Sequence, residues 1–194
     1  MIVDIGAVNS ILEEGENIEW VGKAEPFNLI DSANKKSLLT SWVTCAAISA
    51  SLTAAYILVA LRNSLDINMI IFVFVIGFPL FVAIRPFLDK MALKKLTFVL
   101  TDKRAIIHKG GSQCTSMELG KIDDAAMINK NNGIGDVVFG SPAVKLPVHK
   151  LRHLTLMPLH AEDEKKSVTG MVFYNVAEAG KIMGMFKKNT SGAE

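Results

Sequence analysis

Three histidines, His149, His153 and His160, and one glycine-rich run, "NNGIGD" at 131–136, are the residues whose types and spacing invite a chemical reading. His149 and His153 stand four apart, so on one helical face they would share a metal ion. Pro147 and Pro158, with the Thr-Leu pattern between them, argue against a regular helix, and no cysteine or acid nearby in sequence completes a tetrahedral set. No metal ligand is therefore expected. "NNGIGD" lacks the strand–loop–helix context of a phosphate loop and reads as a hairpin turn. No nucleophile–base pair or carboxylate dyad stands out either. The expectation is a chain with no catalytic residues and no cofactor.

Charge is the second kind of chemistry on offer. Lys94, Lys95, Lys103 and Lys109, with Arg104 among them, suggest a basic rim against anionic lipid head groups. A lysine held near such a surface contributes about 1 kcal/mol. Arg104 also has a structural reading, in which its guanidinium satisfies carbonyls of a turn or barrel. Residues 1–36 sum to a charge of −4, whereas residues 87–194 carry sixteen Lys and Arg against eleven Asp and Glu. Neither balance fits a nucleic-acid binder, and no basic helix with interleaved aromatics is present.

These residues need elements to position them, and the most pronounced elements are apolar. Half of the chain is hydrophobic and the mean hydropathy is +0.33, high for a soluble protein of 194 residues. Residues 37–61 contain no charged side chain and reach roughly 37 Å as a helix, enough to cross a bilayer with some tilt. Residues 67–84 are also uncharged and near the minimum spanning length. The short link "RNSLD" makes the pair a transmembrane hairpin. Arg62 is the only basic residue of the link, against Lys35 and Lys36 on one flank and Arg85, Lys90, Lys94 and Lys95 on the other. The positive-inside rule then puts both termini in the cytoplasm. No charge lies within either span, so no ion path or proton relay is expected.

The first span carries Ala46, Ala50 and Ala54 at intervals of four, with Ala47, Ser51 and Ala55 beside them. Such a stripe lets another helix backbone approach closely. The partner is either the second span or a helix of another subunit. Pro79, after Gly77, is expected to kink the second span or mark its last turns. Cys45 lies in an apolar run and Cys114 in a predicted strand, so a disulfide is not expected. The first twenty residues lack a basic n-region and an apolar h-region, so no secretory signal is expected there.

After Lys94 the period changes to two. Leu96, Phe98 and Leu100 alternate with Lys95, Thr97, Val99 and Thr101 as in a half-buried strand. "TDK" supplies a turn, "RAIIHK" a second strand, "GG" a tight reversal and "SQCTSMEL" a third strand. "AAMINK" and "IGDVVFG" form another hairpin around "NNG". Near the C-terminus, Asn175 and Glu178 suggest a capping box, and Val176, Ala179, Met183 and Phe186 line one helical face. "NIEWVGKAEP" is a strand candidate ahead of both spans, expected to cross back to the later strands. Glu19 and Glu25 within it, and Glu16 just before it, complement their basic character. Residues 141–170 are the least regular stretch, with one strand expected around Leu154–Leu159 and a possible role as a partner surface.

"EEGENIEWVG", two apolar spans, "FVLTDKRAIIHKGG", "IDDAAMINKNNGIGDVVFG" and "MVFYNVAEAGKI", in this order, resemble bacterial pleckstrin-homology-like membrane proteins. In that family a Gly-Glu pair precedes a transmembrane pair, and a Leu-Thr-x-x-Arg strand opens the rest of a barrel. Gly15 and Glu16, then Leu100, Thr101 and Arg104, match these motifs. Gly133 and Gly135 match a Gly-x-Gly before a strand, and Phe173 a phenylalanine entering the last helix. The resemblance implies a membrane-anchored α+β fold in which a two-helix hairpin is inserted after the first strand of an antiparallel barrel capped by a C-terminal helix. The expected boundaries are an N-terminal segment 1–36, the hairpin 37–86, the barrel and helix 94–188 and a disordered tail 189–194. It implies an inner-membrane scaffold or accessory subunit with membrane lipids and a membrane-protein partner or second copy as contacts. An anionic-lipid sensor and a component of an oligomeric transport or export complex are the alternatives.

Overall fold

Period-two apolar runs broken by turn residues form hairpins, whereas long charge-free runs form helices that no small core can enclose. The structure, a computed structural model, describes residues 5–28, 35–64, 69–111, 113–131, 133–162 and 167–191. In chain order it contains α1 (Ile5–Asn9), β1 (Ile18–Gly22), α2 (Lys35–Arg62), α3 (Met69–Leu93), β2 (Thr97–Thr101), β3 (Arg104–Gly110) and β4 (Gln113–Glu118). A 3-10 turn at Leu119–Lys121 leads to β5 (Ala125–Asn131), β6 (Ile134–Phe139), α4 (Ser141–Val144), α5 (Val148–Leu156), β7 (Leu159–His160), β8 (Val168–Val176) and α6 (Ala179–Ser191). Two units result: Met1–Phe27 with Met91–Glu194, and Asn28–Lys90.

The smaller unit is the helical hairpin. Both helices are long and apolar enough to cross a membrane, at 28 and 25 residues. Three contacts set their antiparallel register. Trp42 stacks on Phe87 at 6.4 Å, the Ser49 hydroxyl donates to the Val75 carbonyl at 2.9 Å, and Tyr56 meets Phe72 edge-on at 5.6 Å. Helix α3 contains Pro79 and Pro86 and still continues to Leu93, well beyond the expected end at residue 84. The second span was expected to begin at 67, but residues 65–68, the end of the link and the first two positions of that span, lie outside the described residues.

The larger unit holds two four-stranded antiparallel sheets, ordered β1-β2-β3-β4 and β5-β6-β8-β7. Strand β1 pairs with β2 across the inserted hairpin, Val21 opposite Val99 and Gly22 opposite Phe98. One isolated bridge, Ala24 to Val176, joins the sheets at a corner. The expected closed barrel is not formed: among the described residues β4 and β5 are not paired. The reason is local, since the 3-10 turn and Ile122–Asp124 carry the chain from one sheet to the other without a tight hairpin.

Phe173 is the hub of the core. It stacks on Phe98 at 5.1 Å and on Trp20 at 6.2 Å, and meets Phe139 edge-on at 5.1 Å. Phe139 in turn touches Phe186 of α6 at 5.6 Å. One ring of β8 thereby ties both sheets and the last helix together. Each such buried side chain contributes roughly 1.5–3 kcal/mol. Leu93, the last residue of α3, is fully buried in this core. The other face of β2 and β3 is covered as well. Val99 and Ile106 pack under Val8, Ile11 and Leu12, so β2 is buried on both faces and not half-buried.

Three further expectations need correction. Asn175 does not cap α6: it is the next-to-last residue of β8, with φ +53°, and the helix begins at Ala179. Its side chain donates to the Glu25 carbonyl at 2.9 Å, a long-range bond that the local capping pattern does not reveal. The strand expected around Leu154–Leu159 is mostly α5, with only Leu159–His160 extended. Pro147 and Pro158 bound this helix and do not interrupt it, because Pro147 is the N-cap and Pro158 lies beyond the C-cap Met157. Finally, α6 runs to Ser191, so residues 189–191 are helical, while 192–194 of the expected tail lie outside the described residues.

Candidate functional site

The two motifs that precede and follow the hairpin meet in space. Gly15, at φ +72°, takes a left-handed turn that glycine adopts without steric cost. The turn delivers Glu16, whose side chain is fully buried. Arg104 grips it with two bonds, Nε to Oε1 and Nη2 to Oε2, each 2.9 Å. The Thr101 hydroxyl adds a bond to Oε1 at 2.7 Å, and the Glu13 N–H one to Oε2 at 2.9 Å. Arg104 also donates to the Ile11 carbonyl at 3.0 Å and pairs with Glu13 at 2.9 Å. Burial alone raises the Glu16 pKa, but the Arg104 hydrogen bond, the Glu13 N–H and the Thr101 hydroxyl outweigh it and hold the group at about 2. The partner of Arg104 is thus chiefly a carboxylate, with a carbonyl second.

The tip of the β2–β3 hairpin is clasped by the same segment. Asp102 accepts from the Asn17 N–H and side-chain amide, both at 3.0 Å, and these bonds lower its pKa. Lys103 reaches the Glu14 carbonyl at 3.4 Å. Thr101, Arg104 and Glu16 are therefore one structural lock that binds the N-terminal segment to the strands following the insertion.

The candidate lipid contacts do not form one rim. Thr97 pairs with His108 and Leu100 with Ala105, so Lys103 sits at the opposite end of the β2–β3 pair from Lys94, Lys95 and Lys109. A five-residue strand separates those ends by roughly 17 Å. Lys94, Lys95 and Lys103 are exposed; Lys109 is half-buried and donates to the Leu156 carbonyl at 3.1 Å.

In the hairpin unit, Ala46, Ala47, Ala50, Ser51, Ala54 and Ala55 are all exposed. Ala46, Ala50 and Ala54 border an apolar groove of about 680 Å³ between the two helices, facing Ile76, Pro79 and Ala83. Contacts that close the hairpin run through Trp42, Ser49 and Tyr56, outside the stripe; nothing in the small-residue pattern pointed to Ser49 as the residue that bonds across.

The remaining motif residues are structural. Gly133 has φ +76° in the β5–β6 turn. A Cβ on Gly135 would lie 2.7 Å from the Ile128 carbonyl and 3.1 Å from the Ala179 methyl. Phe173 is the core hub and does not enter the last helix. A buried polar group missed from the sequence lies beside them: Asp136 accepts from Lys130 and from the Asn175 N–H, both at 2.7 Å, and Lys130 stands 3.8 Å over the Tyr174 ring. No group of three metal-binding side chains occurs among the described residues.

Comparison of the chain with family models, curated proteins and solved structures finds no match.

Proposed function

We propose that this chain is a multi-pass protein of a bacterial cytoplasmic membrane, pleckstrin-homology-like in its larger unit, and that it works as a non-enzymatic scaffold or accessory subunit. Its N-terminal segment and its sheets face the cytoplasm, and a membrane helix of a partner or of a second copy packs on α2. The observation that carries this reading is the exposed stripe of Ala46, Ala50 and Ala54 along a groove that the hairpin's own contacts leave open. Small side chains on an apolar helix favour close approach of another backbone. The pleckstrin-homology-like assignment is supported by the order of elements: one strand, the inserted hairpin, antiparallel strands and a final helix packed on the second sheet.

The test has two stages. Resistance of the chain to alkaline carbonate extraction checks membrane insertion. Affinity purification in a mild detergent then checks assembly: a stoichiometric membrane polypeptide, or a second copy, should be retained. Ala50→Leu, which fills the stripe, should weaken that retention on the order of ten-fold. Recovery of a monomer alone, or no effect of Ala50→Leu, counts against the scaffold reading.

A further inference from the structure

The segment between β6 and β8 carries features that neither the lock nor the groove uses. From Val137 to Ala161 it contains Lys145, Lys150, Arg152 and three histidines and not one acid. Its helix α5 buries Leu151, Leu154 and Thr155 and exposes His149, Lys150 and His153. Outside the two long helices, the large hydrophobic side chains exposed among the described residues are Val148 and Met157, at the two ends of α5. The exposed basic residues thus lie between two exposed apolar ones, the two kinds of group that a membrane interface accepts side by side.

Arg152 sharpens the reading. It is only 7% exposed, and its buried Nη1 has no hydrogen-bond partner. None of the ion pairs among the described residues involves it. Proteins rarely leave a buried guanidinium without an anion, since desolvation of the charge is then uncompensated. The position of α5 supplies the direction. Lys109 bonds the Leu156 carbonyl, and Lys109 follows His108, the partner of Thr97 at the start of β2. The C-terminal end of α5 therefore lies at the same end of the first sheet as Lys94 and Lys95, where the chain arrives from α3.

We infer that α5, with Lys94, Lys95 and Lys150, is a contact surface for anionic phospholipid, and that Arg152 takes a head-group phosphate there. This rests on the membrane reading above. This surface keeps Lys94 and Lys95 of the expected rim, adds α5, and leaves out Lys103, which reaches the Glu14 carbonyl at the opposite end of the β2–β3 pair.

The experiment uses the full chain in nanodiscs of phosphatidylcholine alone or with phosphatidylglycerol, followed by hydrogen–deuterium exchange. Amides of residues 148–157 should exchange more slowly in anionic discs, and the difference should vanish near 1 M salt. Lys150→Gln should lower the effective lipid affinity about five-fold. Arg152→Met should remove the anionic protection and yet raise the urea midpoint in neutral discs, because it deletes an uncompensated buried charge. That pairing is one a merely structural arginine would not produce. Equal exchange of α5 in both discs overturns the inference, as does equal protection from inorganic phosphate in neutral discs, which would assign a free-phosphate site. Carbonate extraction of the chain is a separate failure, of membrane insertion itself.

Discussion

Replacing Glu16 by glutamine tests the lock between the N-terminal segment and the strands beyond the hairpin. The carboxyl is held at about 2, against 4.5 for an unperturbed group. A difference of about 2.5 pH units corresponds to about 3 kcal/mol of stability at neutral pH. The folded value lies below the unfolded one, so this contribution is complete above about pH 4.5 and is lost as pH falls toward about 2. Glu13 remains beside Arg104 in the variant, but it is 65% exposed and retains less than about 1 kcal/mol. Glu16→Gln should therefore cost about 2–3 kcal/mol at pH 7. It should also flatten the stability profile between about pH 4.5 and 2. Urea unfolding in detergent, followed by Trp20 fluorescence in a Trp42→Phe background, reads the core directly, because Trp20 stacks on Phe173. A midpoint unchanged at pH 7, or an acid slope equal to that of the parent, would refute the reasoning. A double-mutant cycle with Arg104→Met should give a coupling of at least about 1 kcal/mol; strict additivity would show that the two side chains do not act as a pair.

Phe173→Ala should destabilise the larger unit by about 3–5 kcal/mol, measured by the same unfolding assay, because the void opens between both sheets and α6. Gly135→Ala should destabilise it as well, since the added methyl meets the Ile128 carbonyl and the start of α6; protease resistance of the 125–191 region reports the loss. Deleting residues 12–26 removes β1 and Glu16 together, and should leave the later strands susceptible to limited proteolysis.

What was legible in the sequence follows the range of the interactions involved. The hairpin strands could be read because alternation and turn residues act over a few positions: the β2–β3 turn at Asp102–Lys103 and the Gly110–Gly111 reversal stand where the pattern puts them. The apolar helices could be read from composition alone. Some elements are misread because a distant segment captures a local signal. Asn175 and Glu178 have the spacing of a capping box, but the side chain of Asn175 is committed to Glu25, 150 residues away. Glu16 and Arg104 were visible as separate motifs, and only the pairing of β1 with β2 across the insertion joins them. Pro147 and Pro158 conceal α5 because proline is read as a helix breaker, although at the boundary of a helix it is compatible with one. Leu151, Leu154 and Thr155, at i, i+3 and i+4, were the available signal. The same pattern bears on function. The residues joined over long range, Glu16 with Arg104 and Glu25 with Asn175, hold the N-terminal segment of the larger unit to its sheets. On the function proposed above, the small-residue stripe and the basic residues of α5 are the surfaces that would meet partners or lipid.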